Sequence, residues 1–451
     1  MKKKLSLLIL LLVLVATGYA QTISGSWKGE LNAGSMNLGI IFNISKDACT
    51  MDVPQQNAKG IPTEVVLISA DSIKIKVSKI GASYEGCLKG GEIVGTFTQM
   101  GMSFPLNLKP GTIEVKRPQT PQPPFEYNTE EVYFDNKEAG ARLCGTLTYP
   151  VGYDKMNKKE VPVVLMVTGS GLENRDEEIF SHKPFFVLAD YLAKNGIASL
   201  RYDDRGFGKS TGDVTKATTL DFMKDAEAGL TYLRSLNKFG KVGVMGHSEG
   251  GTISFMLGSR QIADFLVSLA GTSVRGDSIL ISQNRKSFIL AGLPTDLINS
   301  YCKLLKVLYQ YKIDHKEIDN VQTTLDHIIK VSGVSVPDAP KENLVKLLEM
   351  KNAWMDYFIA FDPTKDISKI KCPTMAINGN LDSQVISSFN LSTIKKLLPA
   401  NSKSIIKEYP GLNHLFQHCT TGSSMEYNTI EETFSPEVLK DIVNWILAIN
   451  K

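Results

Sequence analysis

Residues 241–252 read KVGVMGHSEGGT, a short apolar run that leads into Ser248. Gly246 and Gly250 stand two residues before and two residues after that serine. A strand-to-helix turn that lifts a side chain off a sheet leaves little room for Cβ atoms at those positions, and the spacing G-x-S-x-G is typical of such a turn. The small and apolar residues that follow predict a helix, whose first N–H groups would face developing negative charge. The pattern therefore predicts that Ser248 is an exposed nucleophile.

A serine hydroxyl attacks poorly unless a base takes its proton, and the base in turn needs an orienting carboxylate. Among the six histidines, His414 in YPGLNHLF follows the last predicted strand, where an exposed loop histidine is expected, and we predict it as the base. His247, beside the serine, is predicted to point elsewhere on the turn. Asp382 in MAINGNLDSQV follows the preceding strand and is the predicted acid. Asp277, which follows the strand before that one, is the alternative acid.

Acyl transfer also requires two N–H donors for the negative oxygen of the tetrahedral intermediate. The main-chain amide of Glu249, directly after the serine, is predicted as one donor. The second should come from TGSGLENRDEE, the loop after the apolar run VPVVLMV, whose glycines let the backbone approach a substrate. The Ser170 amide is the first choice in this oxyanion loop and the Gly171 amide is the second.

Other residues near these motifs have both a structural and a functional interpretation. Arg175 and Asp176 could contact a charged group of a substrate, and structural ion pairs are the prediction. Asp204 and Arg205 are predicted to pair with each other below the site. The segment WMDYFIAF is left open between a pocket wall and core packing, and its aromatic residues are Trp354, Tyr357 and Phe358.

No pattern predicts a metal or a cofactor. His414 and His418 are four residues apart, but Leu415 stands where the H-E-x-x-H zinc motif has glutamate. The stretch GFGKST at 206–211 is similar to the end of a phosphate-binding loop. However, Asp203 occupies the position of that loop's first glycine and would repel phosphate.

The chain after about residue 130 alternates apolar runs with helical stretches, which is typical of a mainly parallel sheet. Two runs, EEVYF and RLCGTLTYP, read as a pair of strands ahead of this alternation. A helix-rich stretch at about 275–366 interrupts it and predicts a helical cap over the site. The predicted fold class is α/β, with helices near 183–194, 219–236, 250–259, 387–398 and 436–449.

Residues 21–115 contain short, partly alternating apolar runs separated by Gly, Asn, Asp and Pro, and they predict a small all-β barrel or sandwich. Binding of a ligand or glycan is one interpretation, and a packing or dimerisation role is the favoured one. The segment KRPQTPQPP at 116–124 is predicted to be a semi-rigid linker, because its four prolines favour an extended chain. The predicted α/β domain then occupies 125–451.

The first twenty residues are typical of a signal peptide, since three lysines precede an apolar run and Gly18 and Ala20 precede a cut before Gln21. An uncleaved anchor is the alternative, although the run is short for a membrane span. The protein is expected to be exported, periplasmic or secreted, with no stable span after cleavage. Without the three leading lysines the 50 basic residues fall to 47, which equals the 47 acidic residues. No basic patch predicts nucleic-acid binding.

The six cysteines are scattered along 451 residues, and no C-x-x-C pair is present. A chain of this length can build its core without disulfides. We therefore expect mostly buried free thiols. Cys49 with Cys87 is the one pairing that merits a test.

The segments GSGLENRDEE, RYDDRGFGKSTG, GHSEGG, NGNLDSQV and PGLNHLFQ together resemble the α/β-hydrolase superfamily. More narrowly, they are similar to bacterial carboxylesterases that carry an N-terminal β-domain and are grouped with serine aminopeptidase-like hydrolases. Many of these relatives have a histidine where this chain has Thr168. The resemblance implies a metal-free ester hydrolase that uses Ser248, Asp382 and His414. Short acyl or aryl esters, small or glycan-linked, are the expected substrates; the alternatives are a peptidase or amidase with the same residues, or a catalytically dead binding protein.

Overall fold

The computed structural model describes residues 23–33, 36–46, 48–54, 58–99, 101–113, 116–315, 318–336 and 338–451. The signal peptide predicted at 1–20 lies outside these residues. The chain divides into two compact units, Met1–Val115 and Lys116–Lys451. Within the described residues, no helix is both long enough and apolar enough to span a membrane.

The described residues of the first unit form two antiparallel sheets of five strands each, and the predicted all-β class is confirmed. The sheet orders are β10-β1-β2-β3-β4 and β5-β6-β7-β8-β9. The strands are β1 Gly25–Ala33, β2 Met36–Ile44, β3 Cys49–Val53, β4 Ala58–Pro62, β5 Glu64–Ile68, β6 Ser72–Val77, β7 Ala82–Lys89, β8 Glu92–Gln99, β9 Met102–Pro105 and β10 Lys109–Pro110.

The interior of this unit is mostly aliphatic, and the polar atoms of its buried Trp27 and Tyr84 are satisfied there. Trp27 Nε1 donates to the Ile23 carbonyl at 2.6 Å, and the Tyr84 hydroxyl donates to the Leu106 carbonyl at 3.1 Å. Cys49 is buried in one sheet and Cys87 is exposed on the other, and all six cysteines are free. The disulfide considered between Cys49 and Cys87 is therefore not formed.

The second unit is built on one sheet of eight strands in the order β11-β12-β14-β13-β15-β16-β17-β18. The strands β11 and β12 form the predicted antiparallel pair, and the pairs from β14 to β18 are parallel. Every residue of β13 to β17 is buried, which explains why their sequences are near-continuous apolar runs. The strands are β11 Thr129–Asn136, β12 Ala141–Thr148, β13 Val163–Val167, β14 Ala198–Tyr202, β15 Val242–His247, β16 Leu266–Leu269, β17 Thr374–Gly379 and β18 Ile405–Tyr409.

Helices cover both faces of this sheet, and the predicted α/β class is confirmed. Side chains alternate along β13, so that Leu165 belongs to the apolar core on one face of the sheet and Met166 to the core on the other. All five helices predicted from the sequence are observed, and each end lies within one residue of its predicted position. The helices are α1 Pro184–Lys194, α2 Thr219–Ser235, α3 Glu249–Ser259, α4 Gly276–Leu290, α5 Thr295–Asp314, α6 Val321–Ser332, α7 Asp338–Glu349, α8 Ala353–Ala360, α9 Thr364–Ile367, α10 Ser387–Leu397 and α11 Pro436–Asn450.

The helices α4 to α9 lie between β16 and β17, where the sequence predicts the cap. They have an apolar core of their own, which includes Leu304, Leu308, Leu325 and Leu344. This insertion leaves the parallel order of the sheet intact, because β16 and β17 still pair directly.

The proline-rich segment at 116–124 is more than the spacer that its composition predicts, because its side chains are bonded within the second unit. The Arg117 guanidinium donates to the main-chain oxygens of Phe180, Asn428 and Ile430. The Gln119 amide donates to the Phe434 carbonyl at 2.8 Å and accepts from the Phe434 N–H at 3.0 Å. Composition shows that a segment is extended, but it does not show what its polar side chains contact.

A fragment that begins at Lys116 is therefore expected to be more stable than one that begins at Phe125. The shorter fragment loses the hydrogen bonds of Arg117 and Gln119 and leaves main-chain groups without partners, so its Tm should be lower by roughly 5–10 °C. Thermal unfolding of the two fragments by circular dichroism measures the difference. Equal Tm values would show that the segment contributes nothing to the second unit.

Candidate active site

Ser248 lies in the turn between β15 and α3, and its backbone has φ 54° and ψ −115°. This conformation is sparsely populated by residues other than glycine, and tight surroundings are needed to hold it. A Cβ at Gly246 would overlap the main chain of Gly250, and a Cβ at Gly250 would overlap the Val167 carbonyl. The two glycines of the motif therefore allow the helix to start directly against the end of the sheet.

The structure brings Asp382 and His414 together at the same edge of the sheet, in the turns after β17 and β18. Asp382 Oδ2 lies 2.7 Å from His414 Nδ1, and both side chains are buried. The other oxygen, Asp382 Oδ1, accepts from the N–H groups of Gln384 and Val385 at 2.7 and 2.8 Å. A carboxylate held in this way fixes the proton on Nδ1, so Nε2 of His414 is left as the basic nitrogen.

His414 also lies close to the serine turn. The ring centroid of His247, the residue before Ser248, is 4.6 Å from the ring centroid of His414. No hydrogen bond joins Ser248 Oγ to His414 in the part of the chain that the structure describes. Such contacts are often long in unliganded enzymes and tighten when substrate binds.

The alternative acid, Asp277, lies elsewhere. Its carboxylate accepts two hydrogen bonds from Arg275, at 2.9 and 2.6 Å, and it stands in the first turn of α4. Arg275 is held in turn by Gln310 of α5. Asp277 thus belongs to an ion pair at the base of the cap, and the contact that an acid of this kind must make with His414 is made by Asp382.

The two predicted oxyanion donors belong to different elements: one is at the start of α3 and the other is in the loop after β13. Glu249 is the first residue of α3, so its amide has no partner within the helix. The loop after β13 lies against Ser248, because a Cβ built on Gly169 would be 3.4 Å from Ser248 Cβ. The Gly169 N–H donates to Glu177 at 3.0 Å and is unavailable. The next amide, that of Ser170, remains the first choice for the second donor, ahead of that of Gly171.

The histidine that precedes Ser248 has both ring nitrogens engaged. His247 Nδ1 lies 2.8 Å from Glu177 Oε1, and Nε2 lies 2.9 Å from the main-chain oxygen of His414. Burial alone would lower the pKa of His247, but the Glu177 carboxylate and the His414 carbonyl raise it to about 9. Because both ring nitrogens are engaged in these contacts, His247 has no free nitrogen with which to serve Ser248 as a base.

The carboxyl groups of Glu173, Asp204 and Glu249 are buried near the serine turn, and the sequence patterns did not reveal their burial. Burial and the nearby Glu177 raise the pKa of Glu173 to about 9. Burial also raises the pKa of Asp204 to about 7, against hydrogen bonds from the Glu173 amide and the Thr168 hydroxyl. Burial likewise raises the pKa of Glu249. Glu173 and Asp204 stand in polar loop sequences that look solvent-exposed, and only the fold buries their carboxyl groups.

The ion pairs near the site differ in part from those predicted. Arg175 forms a two-point ion pair with Asp203, at 3.0 and 2.6 Å, and Asp176 pairs with Arg201, so the structural interpretation of both residues is confirmed. The predicted pair between Asp204 and Arg205 is wrong. Arg205 instead pairs with Asp225 of α2 at 2.6 Å.

A cavity of about 370 Å³ lies between the oxyanion loop and the cap. Trp354 of α8 lines it, and its Nε1 donates to Glu249 Oε1 at 2.8 Å. Phe358 stacks on Trp354 with ring centroids 5.1 Å apart, whereas Tyr357 lines a separate cap cavity of about 600 Å³. The lining of the first cavity is mostly apolar: Ser170, Gly171, Leu172, Val214, Ala217, Phe222, Asn352 and Trp354. Among the described residues, no cluster of His, Cys, Asp and Glu could hold a metal ion.

Residues 182–288 match a family of proteins described as serine aminopeptidases, S33. The chain is 25% identical over 276 residues to the esterase EstD of Thermotoga maritima, and the match covers 60% of this chain and 58% of that protein. Among solved structures, Est1E from Butyrivibrio proteoclasticus with ferulic acid bound has a TM-score of 0.42 at 18% identity, covering 71% of this chain and all of that one. The Pyrococcus furiosus esterase PF2001 has a TM-score of 0.41 at 16% identity, covering 74% and 98%. The strand order, the serine turn and the matched segment show that the second unit has the α/β-hydrolase fold and that its central part is similar to the serine aminopeptidase family.

Proposed function

We propose that this protein is a serine hydrolase that cleaves carboxylic esters through an acyl-enzyme. The observation that carries the proposal is the buried pair of His414 and Asp382 at the sheet edge where the strained turn presents Ser248. The similarity to an esterase over 276 residues supports esters as the substrate class. The leader-like first twenty residues support an exported enzyme, periplasmic or secreted.

In the proposed reaction, Ser248 Oγ forms a bond to the ester carbonyl carbon while its proton passes to His414 Nε2. Asp382 stabilises the imidazolium, and the amides of Glu249 and Ser170 hold the negative oxygen. The carbon–oxygen bond to the alcohol then breaks, and the alcohol leaves with the proton from His414. Water then attacks the acyl-enzyme carbonyl carbon while His414 takes its proton. The bond to Ser248 Oγ breaks, Oγ takes a proton from His414, and the acid is released.

The cavity beside Ser170 supports a short acyl or aryl group as the part of the substrate that it holds. Its walls include Leu172, Phe222 and Trp354, and apolar walls favour an apolar group. A small ester, free or linked to a glycan, fits an exported enzyme of this kind. An activity panel of p-nitrophenyl esters from acetate to octanoate tests the class, and no ester hydrolysis by folded protein would contradict it.

A peptidase or amidase is the second candidate, because the matched family is described as serine aminopeptidases and its segment contains Ser248. Aminoacyl p-nitroanilides assayed beside the esters separate the two activities. We expect a higher kcat/KM on the esters. A higher kcat/KM on the anilides would favour the peptidase, and a protein inert on both series would favour a binding role.

Replacing Trp354 with alanine is expected to shift the acyl preference toward longer chains. The change enlarges the cavity, and each added methylene that finds apolar contact is worth about tenfold or more in kcat/KM. The octanoate-to-acetate ratio of kcat/KM should therefore rise about tenfold. Tyr357→Ala is the matched control, because Tyr357 stands on the same helix and lines the other cavity. An unchanged ratio in Trp354→Ala would show that the acyl group binds elsewhere.

A further inference from the structure

A buried ion pair beside the nucleophile has no part in the reaction steps described above. The side chains of Glu177 and His247 are 5% and 7% exposed and lie 2.8 Å apart. Glu177 Oε1 accepts from His247 Nδ1 and also from the Gly169 N–H. His247 Nε2 contacts the main-chain oxygen of His414 at 2.9 Å. One ion pair thus joins three separate segments of the chain.

The direction of each hydrogen bond follows from the groups involved. A carbonyl oxygen only accepts, so His247 Nε2 must carry the hydrogen that it shares with His414. Glu177 Oε1 also receives the Gly169 N–H and is therefore an acceptor, so Nδ1 donates to it and both ring nitrogens are bonded. The pair is therefore a charge-assisted contact with no free nitrogen, which rules out proton transfer to or from Ser248 through His247.

The backbone at Glu177 shows that this arrangement is held tightly. Its φ of 53° is in the left-handed region, which is unfavourable for a residue other than glycine. Such strain persists only where the surroundings fix the residue, and these conformations concentrate at functional sites. In this conformation the Glu177 carboxylate accepts from the Gly169 N–H at 3.0 Å, at the start of the oxyanion loop.

We propose that Glu177 and His247 are positioning residues that hold the oxyanion loop and the His414 loop in register with Ser248. This inference rests on the proposed function. Gly169 precedes Ser170, so a shift at Gly169 moves the predicted oxyanion donor. The His414 carbonyl is held from the serine turn itself, so the base and the nucleophile are fixed to each other. A misplacement of about 1 Å among reacting groups costs on the order of 10²-fold in rate.

The test compares Glu177→Gln and His247→Gln with the double variant in the full-length protein. Asp225→Asn is the matched control, because Asp225 and Arg205 form a similarly buried pair with side chains 1% and 5% exposed. Each protein is assayed for thermal unfolding, for kcat and KM on p-nitrophenyl acetate, and for the rate constant of phosphonylation of Ser248 by a fluorophosphonate.

We expect each single glutamine variant to lose about 10- to 100-fold in kcat and in the phosphonylation rate constant, with KM changed less than about threefold. The double variant should be no slower than the slower single variant, because residues that act as one unit are not additive. Asp225→Asn should lose stability while its kcat stays within about threefold of the starting value.

The outcomes distinguish failure of the positioning role from failure of the proposed function. If the folded single variants react at the unaltered rate, or the two losses multiply in the double variant, the positioning unit is refuted and the proposed function stands. If the unaltered protein is not phosphonylated at Ser248, the proposed function fails and the positioning role fails with it. Should Glu177→Gln fail to fold, His247→Gln tests the same contact from its other side.

Discussion

Replacing Ser248 with alanine is expected to lower kcat on p-nitrophenyl acetate by about three orders of magnitude or more. The hydroxyl that forms the acyl-enzyme is removed, and members of such a triad act as a unit, so His414→Ala should cost a similar factor. KM should change little, because the apolar cavity that we propose for the acyl group is untouched. Steady-state kinetics on the purified variants measures both values.

Ser259→Ala is the matched control for this prediction. Ser259 stands at the other end of the same helix, where its hydroxyl bonds to Asp366 and to the Met256 carbonyl. Its removal should leave kcat within about threefold. Substantial ester hydrolysis by Ser248→Ala would contradict the nucleophile assignment.

The second large effect is expected at the acid. Asp382→Asn should lower kcat by about three to four orders of magnitude, because an amide can donate to Nδ1 and hold His414 in the wrong tautomer. Asp277→Asn should change kcat less than about threefold, since Asp277 pairs with Arg275 at the base of the cap. The comparison uses the same ester and the same pH for both variants.

This ranking separates two positions that the sequence left open. A larger loss in Asp277→Asn than in Asp382→Asn would move the acid one strand back and contradict the 2.7 Å contact with His414 as the catalytic one. Circular dichroism on both variants ensures that the kinetic losses refer to folded protein.

The features that could be predicted from sequence are those with local signals. The glycine spacing around Ser248 and the apolar runs of β13 and β15 follow from steric and burial requirements within a few residues. The helix predicted near 219–236 is observed at Thr219–Ser235 for the same reason, because its periodicity and its N-terminal capping box are local.

The features that were missed depend on contacts between distant residues. Glu177 and His247 are 70 positions apart, and Trp354 is 105 positions from Glu249, so no local pattern joins them. The pairing of Arg205 was predicted wrongly because Asp204 is its neighbour in sequence, whereas the fold presents Asp225. Tertiary packing decides which polar groups share a buried site, and the spacing of residues along the sequence does not reveal those groups.

The most direct test of the central claim is to identify the residue that a fluorophosphonate labels in the purified, active protein. The proposed mechanism predicts one adduct per chain, on Ser248 in the peptide that contains GHSEGG, with loss of ester hydrolysis in proportion to labelling. Peptide mass spectrometry locates the adduct, and Ser248→Ala should not be labelled. An adduct on a different serine, or full labelling of Ser248 with ester hydrolysis undiminished, would contradict the assignment.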